Sequence, residues 1–208
     1  MTERLLESLT PSRRDEVLTA VAAVESARFP VQAKDFRALL DPQLRHVVEQ
    51  VLAAGGRSLV ETLGGFLSGY DDGVREQLIR LGIGQLPADQ RAVLAMVLLF
   101  CVAIPRAEGY VTAESMWTGK HPVAPSLLET GKVRPGTVRA AIRELRARDL
   151  VRGVSGGIVP GPQFQRLTSA ATTILFEELI LLAEPHGDLA LSIRRLRAAK
   201  TPNPEGDH

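Results

Sequence analysis

The sequence predicts a mainly helical protein carrying one short two-stranded hairpin, and three observations predict it. Apolar residues recur at helical spacing through residues 1 to 85, as Val17, Val21 and Val24 do at i, i+4 and i+7, and as Leu44, Val48 and Val51 do again. The run from Ala92 to Pro105 is apolar on nearly every helical face, which places it inside a fold. Past Asp149 the period changes, and the strand formers Leu150, Val151, Val154, Ile158 and Val159 flank the turn residues Ser155, Gly156 and Gly157.

The composition supports a folded chain. Of 208 residues, 45% are hydrophobic and 24% charged, enough apolar material for one large core or two small ones. The net charge of +1 excludes a uniformly basic coat, so any polyanion partner must be met by a local patch. Cys101 is the one cysteine and sits in an apolar run, which excludes an internal disulfide and predicts a buried small hydrophobe. The N-terminus has an acidic residue as early as Glu3 and no apolar signal core, and the run from Ala92 to Pro105 is shorter than the ~20 residues of a membrane span. A cytoplasmic protein without a membrane partner is the expectation.

Taken in order, residues 1–86 read as a wholly helical region, serving dimerisation, a partner or an effector. Its punctuation is Arg28-Phe29-Pro30, Asp41-Pro42, Ala54 to Arg57 and Gly69 to Gly73, with Asp71 or Asp72 capping a helix that stops at the glycines 82 and 84. The apolar helix over Ala92 to Ile104 is expected to lie between this N-terminal region and the C-terminal half of the chain, so that the two share a core. Residues 111–132 are broken by two prolines and two glycines, leaving room for one short helix, near Thr112 to Trp117 or near Ala124 to Thr130. Residues 165–197 form C-terminal helices, and 198–208, polar and proline-bearing, a disordered tail. No internal repeat is visible in the sequence.

Residues 133–161, VRPGTVRAAIRELRARDLVRGVSGGIVPG, carry the functional signal. Pro135 suits a first helical turn, where its missing amide hydrogen costs nothing. Val138, Ala141, Ile142 and Leu145 then recur at i, i+3, i+4 and i+7 as a buried stripe, while Arg139, Arg143 and Arg146 share an adjoining exposed flank. From Arg134 to Arg152 six arginines face only Glu144 and Asp149, an excess of four positive charges. Pairing with carboxylates, as of Arg143 with Glu144 or Asp149, is the plainer use of such a flank.

The pattern of an apolar helix, an arginine-bearing helix and a glycine hairpin resembles the bacterial winged helix-turn-helix regulators, broadly of the GntR and MarR kinds, over residues 87–164. Asp149 stands where such sequences usually carry glycine, and the tip of the hairpin is neutral. The resemblance implies a winged-helix domain against which the N-terminal region packs, and double-stranded DNA as partner, read by the arginine helix in the major groove with the wing on the backbone. It further implies contacts from Thr137 and Arg139 at the helix N-terminus, from Arg143 further along and from Arg152 at the start of the wing. Arg134 and Arg146 join them as phosphate contacts, and the apolar helix near Ile174 to Ala183 invites a homodimer. The alternative is a winged-helix interaction subunit of a larger chromosome-associated or mobile-element complex. The four histidines show no ligand or triad spacing, so neither enzyme chemistry nor a metal or cofactor is expected.

Overall fold

In a computed structural model of the chain, which describes residues 6–112, 115–129 and 134–200, two units of the same construction succeed one another. The first runs through helix α1 (Pro11–Ser26), a single 3-10 turn (Ala33–Asp35), the short α2 (Arg37–Leu40), α3 (Pro42–Ala54) and the strands β1 (Arg57–Thr62) and β2 (Gly65–Tyr70). Helix α4 (Asp72–Arg80) leads to the second: α5 (Ala88–Ala107), the short α6 (Pro125–Leu128), α7 (Pro135–Ala147) and the strands β3 (Val151–Val154) and β4 (Gly157–Pro160). A 3-10 turn (Pro162–Arg166), α8 (Ser169–Ala183) and α9 (Asp188–Lys200) complete the described chain.

The likeness of the two units extends to single atoms. Each hairpin is antiparallel with a two-residue loop, closing at Thr62 opposite Gly65 and at Val154 opposite Gly157. Each second strand pairs on its other side with one residue from the loop ahead of the short helix. Val31 and Phe66 exchange both backbone hydrogen bonds at 2.9 Å, and Val123 and Ile158 do the same at 2.9 Å. The glycine before each partner makes the approach possible: a Cβ on Gly65 would stand 2.1 Å from the Val31 carbonyl oxygen, and one on Gly157 would stand 2.2 Å from that of Val123. Proline opens the third helix of both units, Pro42 and Pro135, where it suits the first turn.

This corrects the expectation of a wholly helical region over 1–86 and of a chain without repeats. The two units repeat an architecture with little repetition of sequence. The strand formers Leu59, Val60, Phe66 and Leu67 flank a tight turn at Leu63 and Gly64, and the helix before them is stopped by Gly56, whose φ of +69° lies in the left-handed region.

Each unit has its own core. Val17, Val24, Leu39, Leu44, Val48, Leu52 and Phe66 form the first, and Val93, Val97, Val102, Leu128, Val138, Leu145 and Ile158 belong to the second. The second core also takes in Leu179 and Ile180 of α8 and Ile193 of α9. The apolar helix α5 therefore serves the second unit alone and is not shared. At 20 residues it has the length and hydropathy of a membrane span, although its uninterrupted apolar run is shorter, and it is packed as a core helix against α7 and β4. Within it Leu99–Ala103 form a π turn, closed by the Ile104 amide donating to the Leu99 carbonyl. The widened turn accommodates Pro105, which has no amide hydrogen to offer and whose ring would crowd a regular turn.

A polar clamp joins the units. The guanidinium of Arg166 donates to the carbonyls of Ser68 at 2.6 Å, Glu25 at 3.3 Å and Val24 at 3.4 Å, and to that of Ala27 as well. Three of these carbonyls belong to the last turn and C-cap of α1, the negative end of its dipole, which a cation suits. Arg28 pairs with Asp149 at 2.5 Å, and the Thr168 hydroxyl donates to Asp72 at 2.7 Å while accepting from the Ala171 amide as N-cap of α8. Asp71 caps α4 through the Gly73 amide, one of the two aspartates the sequence offered. Helix α9 reaches Lys200, into the stretch expected as a tail, and 201–208 lie outside the described residues.

Candidate nucleic-acid interface

Helix α7 forms where the sequence places it. Val138, Ala141, Ile142 and Leu145 are buried against α5, and this fixes the helix by one face and turns the opposite face outward. Its end adopts a Schellman pattern: the Leu150 amide donates to the Leu145 carbonyl at 2.9 Å and the Asp149 amide to that of Arg146 at 3.0 Å. Asp149 takes the left-handed position with φ +56°, where glycine is usual, and its carboxylate gains the Arg28 ion pair in return. Aspartate tolerates that conformation better than most residues, which is why the departure from glycine does not disturb the turn.

The structure brings Arg139, Arg143 and Arg146 together. They line one side of a groove of about 280 Å3 whose remaining walls are Pro125 of α6, Ile142 and Ile158 of β4. The Arg139 and Arg143 side chains are 74% and 77% exposed, and each leans on a carboxylate. Arg139 donates to Glu129 at 3.2 Å, and Arg143 pairs with Glu144 at 3.6 Å. Arg146 is exposed and lies over the hairpin, its guanidinium 3.2 Å from where a Cβ on Gly153 would be. Arg134 is exposed at the N-cap, where no side chain caps the helix, and Thr137 is half-buried one turn on.

Arg152 is placed differently. It is half-buried on β3 and donates to the Thr118 carbonyl at 3.4 Å, back toward the loop ahead of α6. The hairpin tip, Ser155 and Gly156, is exposed and neutral. Glu129 as counter-charge and the clamp formed by Arg28 and Arg166 were not anticipated. The unusual Asp149 was the one sequence signal that pointed toward the clamp.

The equivalent helix of the first unit offers a comparison within the same molecule. Over Pro42–Ala54, Arg45 is the one arginine and is half-buried with its guanidinium 5.9 Å from the centre of the Phe66 ring, while Glu49 pairs with His46. Pro135–Ala147 holds three arginines and one carboxylate of its own, Glu144, with Glu129 from outside the helix pairing Arg139. One architecture is used twice, and only its second copy presents an arginine face.

Cys101 is buried, its thiol donating to the Ile158 carbonyl at 3.3 Å. Burial pushes its pKa up to about 11, against the smaller lowering influence of a backbone hydrogen bond at Val123, so the sulfur is held as an unreactive thiol. Among the described residues no three metal-ligating side chains cluster. No family model and no curated protein sequence matches the chain.

Proposed function

We propose that the second unit is a winged helix that binds double-stranded DNA, with α7 in the major groove and the β3–β4 hairpin beside the backbone. The observation that carries this reading is the contrast between α7 and α3, which occupy equivalent places in the two units while α7 alone sets three exposed arginines on its outer face. Arg139 and Arg143 are the groove-facing groups, each able to donate in bidentate fashion to guanine once it exchanges its glutamate partner for a base. Arg134 and Arg146 serve phosphates, aided by Thr137 and the free amides at the start of α7. Arg152 reaches a phosphate only by giving up Thr118 and is the weakest contact of the set. A bacterial transcriptional regulator acting as a homodimer in the cytoplasm suits this arrangement, with the exposed Ile174, Leu182, Leu189 and Leu196 of α8 and α9 facing the second copy.

The test is the double substitution Arg139→Ala with Arg143→Ala. Two lost base contacts at about 2 kcal/mol each amount to roughly a thousandfold weaker duplex binding. Both side chains are exposed, so the melting temperature should stay within a degree or two of wild type. Unaltered affinity in a gel-shift titration would overturn the assignment.

A second reading draws on the same carboxylates. Glu129 and Glu144 partly neutralise the arginine face, and the exposed leucines of α8 and α9 suit a protein surface, as in an interaction subunit of a larger chromosome-associated or mobile-element complex. Retention of a protein partner with no binding to random duplex at low salt would decide for it.

A further inference from the structure

The cleft between the two units is lined by a second group of arginines, distinct from those of α7. It encloses about 550 Å3, and Arg28, Arg57, Arg75 and Arg166 line it together with the carboxylates of Glu25 and Asp149. Arg28 is matched by Asp149, and Arg166 is engaged by four backbone carbonyls. Arg57 donates to the Ser68 hydroxyl at 2.8 Å and the Ser68 carbonyl at 3.3 Å, with Glu25 at 3.5 Å.

Arg75 is the exception. Its side chain is only 21% exposed, and its Nε is buried without a hydrogen bond, held by an ion pair to Asp72 at 3.5 Å. Asp72 already accepts the Thr168 hydroxyl at 2.7 Å, so it is a shared and incomplete partner. A buried guanidinium N–H without an acceptor is costly, and such groups are ordinarily satisfied by something. Arg57 and Arg166 are also close enough for like charges to act on one another: Arg166 is held below its ordinary pKa chiefly by burial and further by the charge of Arg57. The Nε itself is closed to solvent and faces Asp72, so an oxyanion in the cleft would meet the outer nitrogens of the Arg75 guanidinium, and it would relieve the repulsion between Arg57 and Arg166.

The rim of the cleft indicates the rest of the ligand. Tyr70 is 53% exposed at the rim, and the Arg57 guanidinium lies over one face of its ring at 5.1 Å from the centre, so an aromatic and a cationic group adjoin there. The volume falls within the range of small-molecule sites and accommodates a mononucleotide. We propose that the cleft between the units binds a phosphorylated small molecule of nucleotide size, its phosphate held by Arg75 and Arg57 and its ring laid against Tyr70. The proposal does not rest on DNA binding by α7. It does place the ligand next to Asp149, the residue that ends α7, through the Arg28 ion pair.

Isothermal titration of the full chain with inorganic phosphate, and separately with adenosine monophosphate, at constant ionic strength provides the test. Both should bind saturably at one site, and Arg75→Gln should weaken each by about tenfold or more, the worth of one charge-assisted hydrogen bond. Arg80→Gln on the same helix, 76% exposed and paired with Glu76, should leave both unchanged. The monophosphate should bind more tightly than phosphate, and Tyr70→Ala should abolish that difference. If Arg75→Gln does not fold, Arg75→Lys, which keeps the charge and loses the planar fork of outer donors, should weaken binding instead. Heat that fails to saturate by about 5 mM, equal loss in the Arg75 and Arg80 variants, or undiminished binding by the Arg75 variants would overturn the proposal.

Discussion

Replacing Arg166 by methionine removes the guanidinium while keeping most of the stem, and so isolates the clamp between the units. Four carbonyls lose their donor, three of them at the end of α1 and the fourth at Ser68 of β2. Hydrogen bonds to a charged group contribute about 1.5 kcal/mol or more each. Two of the four are long, at 3.3 and 3.4 Å, and the side chain borders an open cleft from which water can replace them. The expected loss is therefore about 3 kcal/mol rather than the full sum. For a chain of this size that is a fall of roughly 6 to 12 °C in melting temperature. Because the cores are separate, the variant should also lose cooperativity, with urea unfolding by circular dichroism dividing into two transitions. Arg166→Lys, a single point charge without the planar fork, should recover only part of the loss. A loss under about 1 kcal/mol with a single transition would refute the view that this residue holds the units together.

Two further predictions concern the fold. Gly157→Ala and Gly65→Ala each drive a Cβ to within 2.2 and 2.1 Å of a backbone oxygen at positive φ, and each should cost about 3 kcal/mol or more in urea unfolding, whereas Gly84→Ala, with φ +78° and open space around it, should cost about 1 kcal/mol. Cys101, raised from 9.0 to about 11, stays protonated in the folded state while the unfolded chain releases its proton, so stability present below about pH 9 should fall by about 2 kcal/mol as pH rises to about 11. Cys101→Ala should flatten that decline, and a wild-type profile no steeper than the variant's would contradict it.

The parts of this fold that the sequence discloses are those with a strong single period. Helix α7 could be placed because Val138, Ala141, Ile142 and Leu145 form an uninterrupted stripe, and the β3–β4 hairpin because Gly156 and Gly157 mark its turn. The first hairpin carries the same signal in Gly64 and Gly65, but its strand β1 includes Arg57 and Glu61, and it follows a long helical stretch of which it reads as a continuation. Of the two short helices offered for 111–132, the one at Pro125–Leu128 forms, and residues 113–114 lie outside the described chain. Periodicity separates inside from outside but does not name partners across the chain. It made α5 a buried helix, yet could not assign it to one core, because that depends on which surfaces meet.

The candidate site was legible to a similar degree. The exposed flank of Arg139, Arg143 and Arg146 follows from helical spacing alone, and so does the neighbour pair of Arg143 with Glu144. The pairing of Arg139 with Glu129, ten positions away in sequence, requires the fold. So does the engagement of Arg152 by Thr118, which comes from packing of the loop before α6 against β3.

The salt dependence of duplex binding by the full chain tests the central claim most directly. A dimer with Arg134 and Arg146 on phosphates in each copy makes four such contacts, and the logarithm of the binding constant should fall with the logarithm of salt concentration at a slope of about −3.6. Fluorescence anisotropy with a labelled duplex between low and physiological salt measures it. A slope near −3.6 that becomes markedly shallower in the Arg134→Ala, Arg146→Ala variant is the predicted result, and a flat dependence, or no binding at low salt, contradicts DNA as the partner of α7.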